Sequence, residues 1–283
     1  MKLLRIGELG KEKPAVLLDN KIVDTSSFGE DFGEHFFESD GLARLKKWVK
    51  ENSKDLPSVP GNVRIGSPFQ RPSKIICIGL NYFDHAKETG LTIPAEPIIF
   101  FKSTSALVGP NDNLIIPKTS VKTDWEVELA VVIGKKVSYI KEEDALKHIA
   151  GYCLHNDYSE REFQIERGGQ WVKGKSCDTF APMGPYMATQ DEIPDLNNLR
   201  LWLTVNGQVM QDGNSHNMSY KIPFLISYLS QFMTLLPGDV ISTGTPAGVG
   251  MGMKPPLYLK PGDVIELGID NLGTQRQVAM AHS

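Results

Sequence analysis

Cysteine is scarce in this chain: Cys77, Cys153 and Cys177 are the only three in 283 residues. An odd number with no metal-ligand spacing argues against a disulfide framework or a structural zinc site, and reduced thiols are expected. Long apolar runs are missing as well, and no stretch reaches the length needed to span a membrane. The opening residues, MKLLRIGELGKEKPAV, hold neither a continuous apolar core nor a small-residue cleavage site, so no signal peptide is expected. Excess positive charge is absent too: 30 Lys and Arg against 34 Asp and Glu leave a net charge of −4, with no lysine-rich run. A nucleic-acid partner and an anionic membrane surface are thereby disfavoured. These absences point to a cytoplasmic protein handling a small molecule, with a chain long enough to bury a large core.

The chain divides near residue 70. Residues 1–70 carry short alternating segments such as AVLLDNKIVDTS, where Asp19-Asn20 suits a hairpin turn. A helical stretch follows around Gly41 to Glu51, then a Ser-, Pro- and Gly-rich connector from Asn52 to Pro72. Residues 71–283 read as one larger domain of short strands with frequent turn signals. Two helices are expected there, Lys141 to Ala150 and Ile222 to Leu235. In the second, Phe224, Leu225, Tyr228, Leu229 and Phe232 form an apolar face suited to core or subunit contact.

The most informative residues are Glu126 and Glu128 in WEVELAVVIG, Trp125 to Gly134. The β-branched run after them reads as a strand, on which positions i and i+2 share a face. Two carboxylates side by side in a buried setting repel each other unless a cation lies between them. Taken alone, the pair also suits a solvated acidic face. Hard oxygen ligands of this kind fit Mg²⁺, Mn²⁺ or Ca²⁺. About thirty residues on, GYCLHNDYSEREFQ offers Asp157 as a third ligand, with Glu160 and Glu162 as competitors and His155 as a structural histidine.

Upstream, KIICIGLNYFDHAKETG reads as a strand, a loop and a short helix that stops at Gly90. His85 and Glu88 then fall at i and i+3 on one helical face. A carboxylate beside an imidazole fixes its tautomer and raises its basicity, which is how a general base for water is assembled. One motif misleads: GQWVKGKS, Gly169 to Ser176, matches the phosphate-loop pattern. It lacks an apolar strand before it, and Pro182 and Pro185 follow where a helix is required, so nucleotide binding is rejected. Lys175 remains as a cation that could meet an anionic substrate, and the loop TGTPAGVGMG, Thr243 to Gly252, could carry Thr245 into the same site.

The ordered segments IGLNYFDHAKETG, EPIIFFKSTSALVGPND, DWEVELAVVIGK, HNDYSEREFQ, WVKGKSCDTFAPMGP, LWLTVNGQ and GDVISTGTPAGVG resemble the fumarylacetoacetate hydrolase family over about Lys74 to Leu267. The resemblance implies a β-rich α+β fold, a rolled β-sandwich or barrel-like catalytic domain behind a small N-terminal domain, usually a homodimer. It implies a divalent metal, Mg²⁺ or Mn²⁺ with Ca²⁺ as a third choice, on Glu126, Glu128 and Asp157. A His85–Glu88 dyad on a mobile lid and Lys175 near the substrate follow from it, with Lys102, Arg161, Gln164 and Thr245 lining the pocket.

The activity implied is hydrolysis of a C–C bond in a 2,4-dioxo acid, giving pyruvate and a second acid. Decarboxylation, isomerisation and a ureidoglycolate lyase-like reaction are alternatives on the same metal, and a non-catalytic binding protein is a further class. GGQWVKGKSCDTFAPMGPY and the tail GVGMGMKPPLYLKPGDVIELGIDNLGTQRQ are similar to bacterial hydrolases of 2,4-diketo-3-deoxy sugar acids. Leu80 stands where many acylpyruvase-like members have arginine, which weighs against a simple acylpyruvase or oxaloacetate decarboxylase.

Overall fold

A computed structural model describes residues 1–283. Strands dominate, in two main sheets. The larger sheet has ten strands, in the order Lys21–Asp24, Lys13–Leu18, Lys2–Ile6, Ala181–Thr189, Ile149–Asn156, Val127–Ile133, Val240–Ser242, Ile75–Gly79 and Ile98–Lys102. Leu107–Val108 pairs off this path with Ala181–Thr189. The second sheet runs Gln208–Asn214, Arg200–Val205, Val264–Ile269, Gly273–Ala281 and Leu114–Ile116. Neither sheet closes on itself, so of the two forms that the resemblance implies, the open sandwich is found and a closed barrel is not.

The middle of the larger sheet follows from its sequence. VELAVVI and IAGYCLHN are buried along their whole length, and strands covered on both faces need near-continuous apolar runs. They pair antiparallel, with Val131 opposite Tyr152 and Glu128 opposite His155. Val240–Ser242 lies along the other side of Val127–Ile133 and is parallel to Ile75–Gly79. The acids of the first strand, the Asn156–Asp157 corner and the loops after Gly79 and Ser242 therefore meet at one end of the sheet.

Residues 1–70 do not form a sheet of their own: Lys2–Ile6 pairs with Ala181–Thr189 and extends the ten-stranded sheet. The expected hairpin turn is present, with Asp19 and Asn20 both at positive φ between paired strands. So is the helix, Gly41–Asn52, which buries Leu45 and Val49.

Both helices expected further on are corrected. Residues 142–148 form a 3-10 helix, and Ile149 already pairs with Ile133 in the sheet, so strand pairing takes over where the helical pattern was read on. The second helix covers only Ile222–Leu229. Beyond it the Ser230 hydroxyl turns back to the Ser227 carbonyl, and Leu235 leaves to bridge Val137. Leu225 and Leu229 enter the core, whereas Tyr220, Phe224 and Tyr228 stack in a row on the outer side and the exposed Phe232 meets Tyr228 edge to face.

Candidate active site

Three carboxylates come together at that sheet end. Glu126, Glu128 and Asp157 are buried, and each offers an oxygen within 4.8 Å of the others. Backbone geometry does the assembling. Asp157 N–H donates to the Glu126 carbonyl at 2.8 Å, which sets the third acid beside the first. Asn156 Oδ1 accepts from Glu126 N–H at 3.0 Å and closes the corner.

Each acid has its own surroundings. Glu126 accepts from Arg161 Nη2 at 2.7 Å and from Lys175 Nζ at 2.6 Å. Asp157 accepts from Lys102 Nζ at 2.5 Å and from Lys175 Nζ at 2.8 Å. Glu128 has no cation. It accepts from Ser242 Oγ at 2.5 Å and Gly244 N–H at 3.0 Å. Burial raises the Asp157 carboxyl, but Lys102 and Lys175 outweigh burial, so it lies well below the ordinary carboxylate range. Glu128 goes the other way. Burial first, then the charges of Asp157 and Glu126, push it well above its ordinary value.

Lys175 lies above its ordinary value because Asp157 and Glu126 overcome the opposing effect of burial. Asp124 and Glu126 do the same for Arg161.

The donor set fits a hard divalent cation. All three acids offer oxygen, as Mg²⁺, Mn²⁺ and Ca²⁺ require. With all of them ionised, as a bound cation would require, four buried carboxylates (Asp124, Glu126, Glu128, Asp157) face three buried cations (Lys102, Arg161, Lys175), which leaves one net negative charge. The mutual repulsion that raises Glu128 is what a divalent ion would remove. Tyr82 Oη, His155 Nε2 and Asn156 Nδ2 are also buried without a hydrogen-bond partner.

The competing acids stand apart from this cluster. Glu160 is tied to Ser120, Thr123 and two backbone amides, and Glu162 pairs with Arg167. His155 is buried, and burial holds its imidazole down at about 3, so it is neutral. Its Nδ1 lies 2.7 Å from Ser242 Oγ. With Ser242 donating its hydroxyl hydrogen bond to an ionised Glu128, Nδ1 is the donor to Ser242.

Above the acids lies a cavity of about 160 Å³, lined among others by His85, Glu126, Glu128, Arg161, Gln164, Lys175 and Thr245. Lys102 and Asp157 lie behind them and are not among its lining residues. A larger groove, about 760 Å³, runs between the N-terminal strands and the Gly41–Asn52 helix. It contains none of the three clustered carboxylates.

His85 sits on the short helix Phe83–Thr89, with Nδ1 3.3 Å from Glu88 Oε2. Glu88 Oε1 accepts from Gly248 N–H at 2.9 Å, so the glutamate ties this helix to the glycine loop. Gly248 has φ of 106°, and a Cβ there would meet the Met210 carbonyl at 2.0 Å. Only glycine allows that loop so close. Asn81 holds the other end, donating to the Tyr220 and Thr243 carbonyls and accepting from Tyr220 N–H.

Two participants are hard to see in the sequence. Asp124 accepts from Arg161 Nε at 2.8 Å and from the amides of Trp125, Gly250 and Met251. It stands two residues before Glu126, and the D-x-E-x-E alternation was the available signal. Ser242 had none, because a serine at the end of a short apolar strand is unremarkable until pairing sets it beside Ala130. The phosphate-loop mimic becomes a single helical turn, Val172–Lys175, that delivers Lys175 to the acids.

Comparison with known proteins agrees with this architecture. Residues 74–279 match the family model described as the fumarylacetoacetate hydrolase C-terminal domain. A protein of Burkholderia multivorans, provisionally named a hydrolase, is 53% identical over 283 residues, which is 99% of each chain. The maleylpyruvate hydrolase of Sphingobium sp. SYK-6, solved with manganese(II) and pyruvate, superposes with a TM-score of 0.83 at 28% identity over the whole of both chains. The 5-carboxymethyl-2-hydroxymuconate delta-isomerase of Mycobacterium smegmatis gives 0.78 at 30% identity, again over both whole chains. This chain belongs to the fumarylacetoacetate hydrolase family.

Proposed function

We propose that the protein is a divalent-metal-dependent hydrolase that cleaves the C3–C4 bond of a 2,4-dioxo acid, giving pyruvate and a second carboxylic acid. The observation that carries this reading is the convergence of three buried carboxylates, within 4.8 Å of one another, on a cavity that also receives a histidine paired with a glutamate. Glu126, Glu128 and Asp157 would hold the ion, Mg²⁺ or Mn²⁺ with Ca²⁺ as a third choice. When bound, such an ion supplies positive charge beside the carboxylate and 2-oxo oxygens of the substrate.

The chain's own residues then divide the work. Glu88, fixed by Gly248 N–H, holds the His85 ring in one orientation and stabilises the imidazolium. His85 takes a proton from water, and the resulting hydroxide adds to the C4 carbonyl carbon. The C3–C4 bond breaks, its electron pair leaves with the three-carbon fragment as the enolate of pyruvate, and the proton held by His85 returns to C3. Lys175 lies beside the acids with its charge intact and favours the enolate over the neutral ketone. Arg161 keeps Glu126 in place and Gln164 in register through its Nη1, while Lys102 holds Asp157 from behind. Thr245 anchors its loop by donating to the Val127 carbonyl at 2.9 Å.

Isomerisation or decarboxylation of a related 2-oxo acid is the second reading, favoured by the likeness to the delta-isomerase, because both need the same stabilised enolate. An NMR product assay with an acylpyruvate and Mn²⁺ separates them. Hydrolysis gives pyruvate and a carboxylic acid in equal amounts, whereas release of CO₂ or a shifted double bond without cleavage would refute the hydrolase reading.

A further inference from the structure

The cavity has two ends of different chemistry. One holds the acids and Lys175. The other is bounded by Leu80, Leu91, Ile98, Phe100, Ile165 and Trp171. Phe100 marks the border: its ring lies 5.0 Å from Lys175 Nζ on one side and 5.2 Å from the Trp171 ring on the other. Trp171 can lie against the strand end because residue 79 is glycine, where a Cβ would meet the indole at 2.8 Å. Leu91 and Ile165 are 59% and 49% exposed, large apolar side chains at the rim.

The polar groups of the cavity are already spent. Arg161 uses Nε on Asp124, Nη2 on Glu126 and Nη1 on Gln164. Lys175 bridges Glu126 and Asp157. Thr245 donates to the Val127 carbonyl and accepts from Gln211, and Thr89 donates to the His85 carbonyl at 3.0 Å. No other lysine or arginine lines the cavity. Apart from His85, the amide nitrogen of Gln164 and the indole N–H of Trp171 are the uncharged side-chain donors that line it without a partner.

From this we infer that the far end of the cavity is a subsite for an uncharged, apolar acyl group. The substrate is then a 2,4-dioxo acid whose chain beyond C4 is alkyl or aryl, and neither a dicarboxylate nor the polyhydroxylated chain of a sugar acid. The inference rests on the reading of the carboxylate end as the 2-oxo acid site. A second carboxylate placed here would lose its water and find no unpaired cation, and the several hydroxyls of a sugar chain would outnumber the two free donors, Gln164 and Trp171. Each methylene buried against this wall strengthens binding about fourfold.

The test is calorimetric titration of the Mn²⁺-loaded protein with three 2-oxo acids of equal length: 2-oxohexanoate, 6-hydroxy-2-oxohexanoate and 2-oxoadipate. The expected result is that 2-oxohexanoate binds about tenfold or more tighter than either polar acid. Ile165→Arg, at a half-exposed position, should move the preference towards 2-oxoadipate by a similar factor. Equal or tighter binding of either polar acid to the unaltered protein, or binding of none of the three, would overturn the inference. Hydrolysis of the corresponding 2,4-dioxo acids is scored separately. A binding preference without cleavage removes the hydrolase reading and leaves the subsite standing, whereas efficient cleavage of a polyhydroxylated substrate does the reverse.

Discussion

The floor and the cover of the cavity are built by opposite means. On the floor, Glu126, Asp157, Lys102, Arg161 and Lys175 are buried and joined by charge-assisted hydrogen bonds, with Glu128 buried beside them on Ser242 and Gly244 N–H. The cover, Phe83–Thr89 and the loop to Glu96, buries only His85 and Ala86 of its helix and leaves Phe83 and Leu91 more than half exposed. Four side-chain bonds hold it from outside: Glu88 to Gly248 N–H, Asn217 to Asp84, Tyr220 to the Pro94 carbonyl and Tyr228 to Glu96. A floor of this kind is preorganised, since moving any of the five paired members strands a buried charge. Such a cover opens at little cost, because little apolar area returns to water. In the proposed mechanism this separation puts charge stabilisation on the strands and the proton-transfer group, His85, on the less buried segment.

Breaking the floor should have the largest effect. Asp157→Asn removes the partner of two buried lysines at once, so activity should fall to background and stability by about 3–5 kcal/mol. Activity assays with Mn²⁺ and urea unfolding check this, and a variant with normal stability would show that Lys102 and Lys175 do not depend on Asp157. Acting on the cover instead, His85→Ala should lower kcat by roughly 10²- to 10⁴-fold with substrate affinity retained. Single-turnover kinetics set against calorimetric binding distinguish the two, and a normal kcat would remove His85 from the chemistry.

How far these two regions were legible in the sequence differs for physical reasons. The E-x-E pair sits on an apolar, β-branched run, so period two alone set Glu126 and Glu128 together. Asp157 was within reach but not separable from Glu160 and Glu162 by composition, and only the Glu126–Asp157 backbone bond and the register of Val127 with Asn156 decide between them. The His85–Glu88 spacing was local and hence readable. Asp124 shared the period-two alternation of Glu126 and Glu128, whereas the role of Ser242 depends on pairing with a distant strand, which leaves no mark in a single chain. The helix read over Lys141 to Ala150 failed for the same reason, since Ile149 and the residues after it answer to a strand partner sixteen residues back.

A smaller effect sharpens the comparison without altering the chain. Amide hydrogen exchange should be fast in residues 83–94 and slow in Val127–Ile133 and Ile149–Asn156. Oxalate with Mn²⁺ should protect the cover and leave the strands as they were. Strong protection of the cover in the free protein, unchanged by oxalate, would make it a fixed wall.

The central claim is that the three acids form a divalent-cation site, and Glu128 gives its cleanest test. It has no lysine or arginine partner, so Glu128→Gln removes a ligand without stranding a cation. Manganese titration of chelator-stripped protein, followed calorimetrically and by thermal unfolding, should show one site in the unaltered chain. Manganese at 100 times its Kd should stabilise that chain by about 2.7 kcal/mol. The variant should unfold at the metal-free temperature of the unaltered chain and bind no manganese. Equal manganese affinity in the two proteins would contradict the account.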